Sequence, residues 1–224
     1  MLFQTLDNKK ECVGLYIDGK LLYPDNKSFD GLSKTWNYST YLSEKDVDYA
    51  TLYCRGLSLS QTCPEIYQEE WQHINNRMKA YLVSFHEAKI SLRENCFFDL
   101  VPERFLLEYC YLKDKICEHV FQTYDKPKDY DFLLGLTKLA DKIKYRELEI
   151  DPGAMSLGSP RAREFYKKIL SHKQYIEYDI FGTKTGRLTT TKNSFPILTM
   201  NREFRQILKP KNDIFIELDY NAIE

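Results

Sequence analysis

Three stripes of apolar residues at helical spacing occupy the middle of this 224-residue chain. The first stripe begins after Pro64, a residue that suits the first position of a helix. Its members recur at steps of three or four positions: Tyr67, Trp71, Ile74, Met78, Leu82 and Phe85. This spacing predicts an α-helix of about seven turns with one apolar face. Because such a face must be buried, the chain is constrained to build its core around helices.

The same pattern predicts two more helices downstream. One takes Asp99 as its N-cap, has Pro102 in its first turn and ends near Tyr124. Its inward residues are Phe105, Leu106, Tyr109, Leu112, Ile116, Val120 and Phe121. The other runs over residues 129–145, with Leu133, Leu134, Leu136, Leu139 and Ile143 inward. Stripes of this kind are far more often core faces than ligand-binding faces, and we interpret all three as core.

A β-hairpin is predicted near the amino terminus. Residues 12–17 and 20–23 are two apolar runs on either side of Asp18-Gly19. Both turn residues tolerate positive φ, and apolar runs around Asp-Gly are a strong short-range hairpin signal.

Further elements are predicted toward the carboxyl terminus. Ser159-Pro160 begins a short helix, with Ser as the N-cap and Pro at the first position. Residues 175–181 and 214–218 are rich in β-branched and aromatic side chains, so we predict a strand in each. Strands at both ends of a helical middle predict an α+β fold class.

The composition is that of a globular protein. Apolar residues make up 43% and charged residues 29% of the chain. No apolar run approaches the roughly 18 residues needed to span a bilayer, and the first residues lack a basic and then apolar signal sequence. We therefore expect no membrane partner and a cytoplasmic location. The six cysteines form no Cys-x-x-Cys, which favours reduced thiols, with disulfides as the alternative.

Positive charge is concentrated between Gly182 and Asn212, although the whole chain carries a net charge of −1. That segment has one acidic residue, Glu203. Its basic residues are Lys184, Arg187, Lys192, Arg202, Arg205, Lys209 and Lys211. Phosphate contact requires such local asymmetry, because each neutralised phosphate releases counterions and gains affinity. A solvated basic face would give the same pattern, so charge alone leaves both interpretations open.

Two motifs stand at the carboxyl-terminal end of the chain. The run FGTKTGRLTT covers residues 181–190, and ELDYNAIE covers residues 217–224. Their order and spacing resemble the opening of the palm domain of A-family DNA polymerases. In that family, Thr-Gly-Arg-Leu-Ser/Thr holds the primer–template backbone, and the Asp of Asp-Tyr-Ser-Gln-Ile-Glu-Leu-Arg binds the catalytic metal ions. The resemblance covers residues 175–224.

The first motif implies contacts with primer–template DNA. Arg187 matches the arginine that reaches the primer terminus in the minor groove, where a guanidinium can read acceptor atoms common to every correct base pair. Threonine hydroxyls and further cations would contact phosphates. The DNA-binding residues that follow from the resemblance and from charge are Lys184, Thr185, Arg187, Thr189, Thr190, Lys192 and Arg205.

The second motif implies a metal site. Asp219 follows a predicted strand, and its carboxylate together with the backbone carbonyl of Tyr220 offers the hard oxygen ligands that Mg²⁺ prefers. Two-metal phosphoryl transfer needs at least two carboxylates. Glu217 shares a strand face with Asp219, whereas in the family the partner lies further downstream. A lone Asp at a strand end is usually a cap or turn residue, so the resemblance carries this interpretation.

Glu224 matches the family position that packs beneath the sugar of the incoming nucleotide and leaves no room for a 2′ hydroxyl. The chain departs from the family at Asn221-Ala222, where Ser-Gln is commoner. Residues 193–198 also replace the family's Pro-Asn-Leu-Gln-Asn-Ile-Pro segment, which suggests a divergent, phage-type branch. No Asp-x-Glu occurs, so the carboxylate pair of a 3′–5′ exonuclease is not recognisable.

The chain break at Asp151-Pro152-Gly153 and the resemblance together predict three regions. These are a small β-containing region at 1–63, a helical thumb-like region at 64–151 and the first part of a polymerase palm at 152–224. The thumb-like assignment rests on order along the chain.

The predicted function is that of a DNA-directed DNA polymerase performing template-directed nucleotidyl transfer with Mg²⁺. Its partners would be primer–template DNA, deoxynucleoside triphosphates and a C-terminal polymerase fragment. We expect the chain alone to be inactive, because one palm carboxylate cannot hold two metal ions. A non-catalytic DNA-binding subunit is the alternative. A helical interaction protein whose tail matches by chance is a third interpretation.

Overall fold

The computed structural model describes residues 1–8, 11–23, 28–92, 94–170, 174–192 and 194–216. The chain forms two compact units, Met1–Lys138 and Leu139–Glu224, which we name the N-terminal unit and the C-terminal unit. Both combine helices with small sheets of two or three strands. The α+β class is therefore confirmed, while the thumb and palm assignments stay predictions.

An antiparallel sheet opens the N-terminal unit. Its strands, in spatial order, are β1 (Gln4–Asn8), β2 (Glu11–Ile17) and β3 (Lys20–Leu22). Asp18 at φ 47° and Gly19 at φ 79° join β2 to β3. Two residues of positive φ match the twist of the flanking strands, and Asp and Gly adopt that backbone most readily. The predicted hairpin is confirmed.

Short elements follow the sheet: β4 (Lys34–Thr35), β5 (Asp48–Tyr49), α1 (Ala50–Tyr53) and α2 (Leu59–Thr62). β4 and β5 pair in parallel. A capping box starts α2, because the Ser58 hydroxyl accepts from the Gln61 N–H while the Gln61 side chain accepts from the Ser58 N–H.

The long helices are α3 (Gln68–Glu87), α5 (Glu103–Thr123) and α6 (Tyr130–Lys144), with a one-turn helix α4 (Phe97–Leu100) before α5. All three helices predicted from apolar spacing are confirmed. The start of the second differs from the prediction, because Asp99 lies inside α4 and Pro102 occupies the N-cap of α5. Val101 precedes that proline with an extended backbone, which separates the two helices.

One hydrophobic core joins the sheet to the helices of the N-terminal unit. Its buried members come from β1, β2, α1, α3 and α5 and include Leu6, Tyr16, Ala50, Trp71, Ile74, Phe105, Leu106, Ile116 and Val120. Residues that the sequence assigned to separate β-containing and helical regions thus pack together. Two residues expected inward, Leu82 and Leu139, are exposed.

All six cysteines are buried. Burial raises the pKa of the Cys110 thiol to about 12, and it raises that of Cys117 to about 12 as well. These two thiols are therefore protonated at neutral pH and act as small apolar core residues.

The C-terminal unit contains α7 (Pro160–Leu170), β6 (Tyr178–Asp179), β7 (Thr189–Thr190) and two 3₁₀ helices, Pro152–Ala154 and Arg202–Ile207. The Ser159 hydroxyl accepts from the Ala162 N–H at 3.1 Å, so the predicted cap of α7 is confirmed. The buried core of this unit consists of Met155, Ala162, Ile169, Ile176, Phe195, Met200, Phe204 and Ile207.

The two predicted carboxyl-terminal strands are largely wrong. In residues 175–181 the two-residue strand β6 pairs with β7, and Tyr175 makes only an isolated bridge with Glu147. Residues 214–216 lie in neither helix nor strand, and Ile214, Phe215 and Ile216 are 67%, 68% and 78% exposed. Glu217 and Leu218 lie outside the described residues. A β-branched sequence forms a strand only where a partner strand pairs with it.

Candidate nucleic-acid interface

The Thr-Gly-Arg motif lies in a loop closed by a two-stranded antiparallel ladder. Tyr178 pairs with Thr190 and Asp179 pairs with Thr189, so residues 180–188 form the connection between β6 and β7. We name this connection the β6–β7 loop. Its tip, residues 184–187, is exposed. The motif is thus displayed on the surface of the C-terminal unit.

Hydrogen bonds within the loop fix the backbone of its tip. The Thr183 hydroxyl donates to the Arg187 carbonyl at 2.8 Å, and the Gly186 N–H points back to the Thr183 carbonyl at 3.4 Å. Residues 183–186 therefore form a β-turn with glycine at its fourth position, where glycine is favoured. Gly186 has φ 75°, a backbone that other residues adopt with strain. The backbone of the tip is thus braced by hydrogen bonds between its own residues.

Close contact between Gly182 and Thr189 holds the two sides of the loop together. A Cβ added at Gly182 would lie 1.8 Å from the Thr189 Oγ1 and 3.0 Å from its Cβ. No side chain fits in that space without displacing β7 or the loop. Gly182 is therefore a positioning residue for the exposed tip.

Glu177 anchors the base of the ladder. Its N–H donates to the Ser194 hydroxyl at 2.9 Å. Its carbonyl accepts from the Thr191 N–H at 3.0 Å, and its carboxylate accepts from the Thr191 hydroxyl at 3.2 Å. Its carboxylate also pairs with the Lys144 ammonium at 2.7 Å. Burial alone would lower the pKa of Lys144, but the hydrogen bond and charge of Glu177 outweigh that effect and raise it.

The cations predicted to bind DNA are exposed. Lys184 and Arg187 stand at the loop tip, Lys192 follows β7, and Arg205 lies on the 3₁₀ helix Arg202–Ile207. Within the described part of the chain, none of the four forms an ion pair with a carboxylate. Their charges are therefore available to an external anion. Phe204 and Ile207, one 3₁₀ turn apart, are buried on one face of that short helix, while Arg205 is exposed.

The three predicted threonine hydroxyls differ in their surroundings. Thr185 is exposed at the tip, and its hydroxyl lies 3.4 Å from that of Thr183. Thr189 and Thr190 are half-buried in β7, and the Thr189 hydroxyl faces Gly182. Of the three, Thr185 is the hydroxyl best placed for an external phosphate.

Two positioning residues, Gly182 and Glu177, were missed in the sequence. The glycine at position 182, within the run FGTKTGRLTT, was the one available signal for a close approach of two chain segments. Nothing in the sequence around Glu177 distinguishes it from other charged residues, because its role depends on contacts with Lys144, Thr191 and Ser194.

The predicted metal and nucleotide residues Asp219, Tyr220 and Glu224 lie outside the described residues. Among the residues that are described, no group of three or more His, Cys, Asp or Glu side chains could hold a metal ion. The magnesium site therefore stays a prediction from the sequence. None of the helices in the described residues is long and apolar enough to cross a membrane.

Comparison with known proteins gives no relative: no protein-family model, no curated protein and no solved structure matches this chain. The two motifs and the β6–β7 loop are thus the features of the chain that indicate a function.

Proposed function

We propose that the C-terminal unit grips primer–template DNA through the β6–β7 loop, as the first part of the palm of an A-family DNA polymerase. The observation that carries this proposal is the loop tip itself. Lys184 and Arg187 are exposed, have no carboxylate partner among the described residues, and stand on a backbone fixed by the Thr183 hydrogen bond.

The chemistry of the tip suits a nucleic-acid backbone. Arg187 offers a planar fork of donors, Lys184 offers a mobile point charge, and Gly186 between them has no side chain to keep a backbone away. Because the turn is already formed, ordering it on binding costs little conformational entropy. Phosphate contacts from such a loop position a duplex, and the Arg187 guanidinium can read minor-groove acceptors.

The catalytic part of the proposal rests on the resemblance of residues 217–224. In it, Asp219 and the Tyr220 carbonyl hold Mg²⁺, and Glu224 excludes ribonucleotides. The proposed reaction transfers nucleotides from deoxynucleoside triphosphates onto a primer. A non-catalytic DNA-binding subunit is the second candidate. It is favoured by the anchoring of the ladder through Glu177, Thr191 and Ser194, which a DNA-binding role alone would require.

The salt dependence of DNA binding tests the proposed contact between the β6–β7 loop and the phosphates of primer–template DNA. If four to six phosphates are neutralised, log K for primer–template DNA should fall against log salt with a slope of about −4 to −5. We expect Lys184→Ala/Arg187→Ala to make that slope less negative by about 2 and to weaken binding. Fluorescence anisotropy of a labelled primer–template duplex measures both quantities.

The matched control is Lys142→Ala/Arg146→Ala, which removes two exposed cations of the same unit outside the loop. A wild-type slope near zero would show that the basic segment does not contact phosphate. An equal change in the loop variant and the control would show that net charge, and not the loop, governs binding.

Primer extension separates the two candidate functions. Under the polymerase proposal, the chain supports templated incorporation when a fragment carrying the fingers helix and the second palm carboxylate is added, and a chelator abolishes it. Under the binding-subunit alternative, the mixture binds primer–template but gives no extension. Both candidate functions require the salt-dependent DNA binding described above. The binding assay is therefore performed first and the primer-extension assay second.

A further inference from the structure

Helix α7 carries a second cluster of positive charge in the C-terminal unit. Arg161, Arg163, Lys167 and Lys168 are exposed on it, and Glu164 is its one acidic residue. In the part of the chain that the structure describes, Arg161, Arg163 and Lys167 form no ion pair with a carboxylate. Arg163 and Lys167 are four residues apart, so their side chains are neighbours on one face of the helix.

The other face of α7 packs in the core of its own unit. Ala162 and Ile169 are buried. The Phe165 ring stacks on Phe204 with centroids 5.1 Å apart, and it lies 6.1 Å from the ring of Phe195. A basic amphipathic helix binds a lipid surface by burying its apolar face among the acyl chains. Because that face is already packed, and Leu170 at the end of α7 is its one exposed large apolar side chain, the cationic face is the main surface that the helix offers to a partner.

The stack on Phe204 also links α7 to another basic element. Phe204 belongs to the 3₁₀ helix that exposes Arg202 and Arg205. The cations of α7 and those of the 3₁₀ helix therefore lie on two elements that are joined by the Phe165–Phe204 stack. A helix of 11 residues is about 16 Å long, and duplex DNA carries one charge per about 1.7 Å of its axis, so a helix of this length spans several phosphates.

We propose that the exposed face of α7 is a second phosphate-binding surface, which contacts the sugar–phosphate backbone of DNA without reading its sequence. This inference rests on the proposed function of the C-terminal unit and extends its DNA contacts beyond the β6–β7 loop. Arg161, Arg163 and Lys167 supply the charges, and packing of Phe165 against Phe204 keeps the helix oriented.

The test compares three variants in the anisotropy assay with labelled primer–template DNA. We expect Arg163→Gln/Lys167→Gln to make the salt slope less negative by about 2. Glu164→Gln removes the acid from the same face and should tighten binding at low salt. Lys142→Gln/Arg146→Gln removes two exposed cations elsewhere in the unit and should change the slope less than the α7 pair does. Thermal melting followed by circular dichroism checks that each variant is folded.

The outcomes are distinguishable. If the wild-type chain binds DNA and the loop variant weakens binding, while the α7 pair behaves like its control, only the α7 surface is refuted. A wild-type chain that fails to bind DNA refutes the proposed function and this inference together. Binding to vesicles that contain phosphatidylserine is measured in parallel. If Arg163→Gln/Lys167→Gln loses vesicle binding but keeps DNA binding, the exposed face of α7 binds a lipid surface and not DNA.

Discussion

A Gly182→Ala variant is expected to lose the DNA contacts of the β6–β7 loop and to destabilise the C-terminal unit by about 1–3 kcal/mol. The new methyl group would lie 1.8 Å from the Thr189 Oγ1. Rotation of Thr189 moves its hydroxyl away but leaves its Cβ 3.0 Å from the methyl, so the ladder itself must shift. Lys184 and Arg187 then lose their fixed positions, and the salt slope of DNA binding should become less negative by about 2.

A second substitution tests whether the clash is the cause. Gly182→Ala/Thr189→Ala removes the Oγ1 and Cγ2 atoms and should recover part of the lost stability and binding. Gly135→Ala is the control, because a Cβ at Gly135 meets nothing within 4 Å and the residue lies inside α6. That change should leave DNA binding intact and stabilise the helix by up to about 1 kcal/mol. Normal binding by Gly182→Ala would contradict the positioning role.

A Phe105→Ala variant is expected to lower the free energy of unfolding of the N-terminal unit by about 3–5 kcal/mol. Phe105 is fully buried, meets Tyr81 edge-on with centroids 5.1 Å apart, and lies beneath the Arg77 guanidinium at 5.2 Å. Removing the ring leaves a cavity between α3 and α5 and breaks both contacts. A loss of this size is a large share of the typical stability of a domain, about 5–15 kcal/mol.

Tryptophan fluorescence in urea measures this loss selectively. The chain has two tryptophans, Trp36 and Trp71, and both are buried in the N-terminal unit. Phe132→Ala is the matched control, since Phe132 is 70% exposed on α6, and its effect should stay within about 0.5 kcal/mol. Equal midpoints for the two variants would show that Phe105 does not occupy the core. The same signal should be insensitive to Gly182→Ala.

The sequence alone was sufficient to predict the elements that form through interactions between neighbouring residues. The hairpin follows from the conformational freedom of Asp18 and Gly19, and the long helices follow from apolar residues that recur with the helical period. The break between α4 and α5 was misplaced because Asp99 is a plausible cap on propensity alone. The decisive factor was the restriction that Pro102 imposes on the residue before it.

The candidate site was only partly predictable. Exposed cations at the loop tip follow from motif and charge, since Lys184 and Arg187 are adjacent to the turn that displays them. The ladder beneath them was not predictable, because contacts between residues distant in sequence decide it: Gly182 against Thr189, and Glu177 with Lys144. Strand pairing also depends on contacts between distant residues. The sequence therefore predicted a strand at residues 214–216, although no described residue pairs with them.

The exposed segment Ile214, Phe215 and Ile216 has a practical consequence for any binding measurement. Adjacent exposed apolar side chains that lie in neither helix nor strand promote self-association of a purified protein. Salts such as sulfate strengthen apolar association, whereas added salt weakens phosphate contact. The two processes therefore respond to ionic strength in opposite directions. A titration with chloride at low protein concentration, with light scattering recorded in parallel, keeps aggregation from being mistaken for affinity.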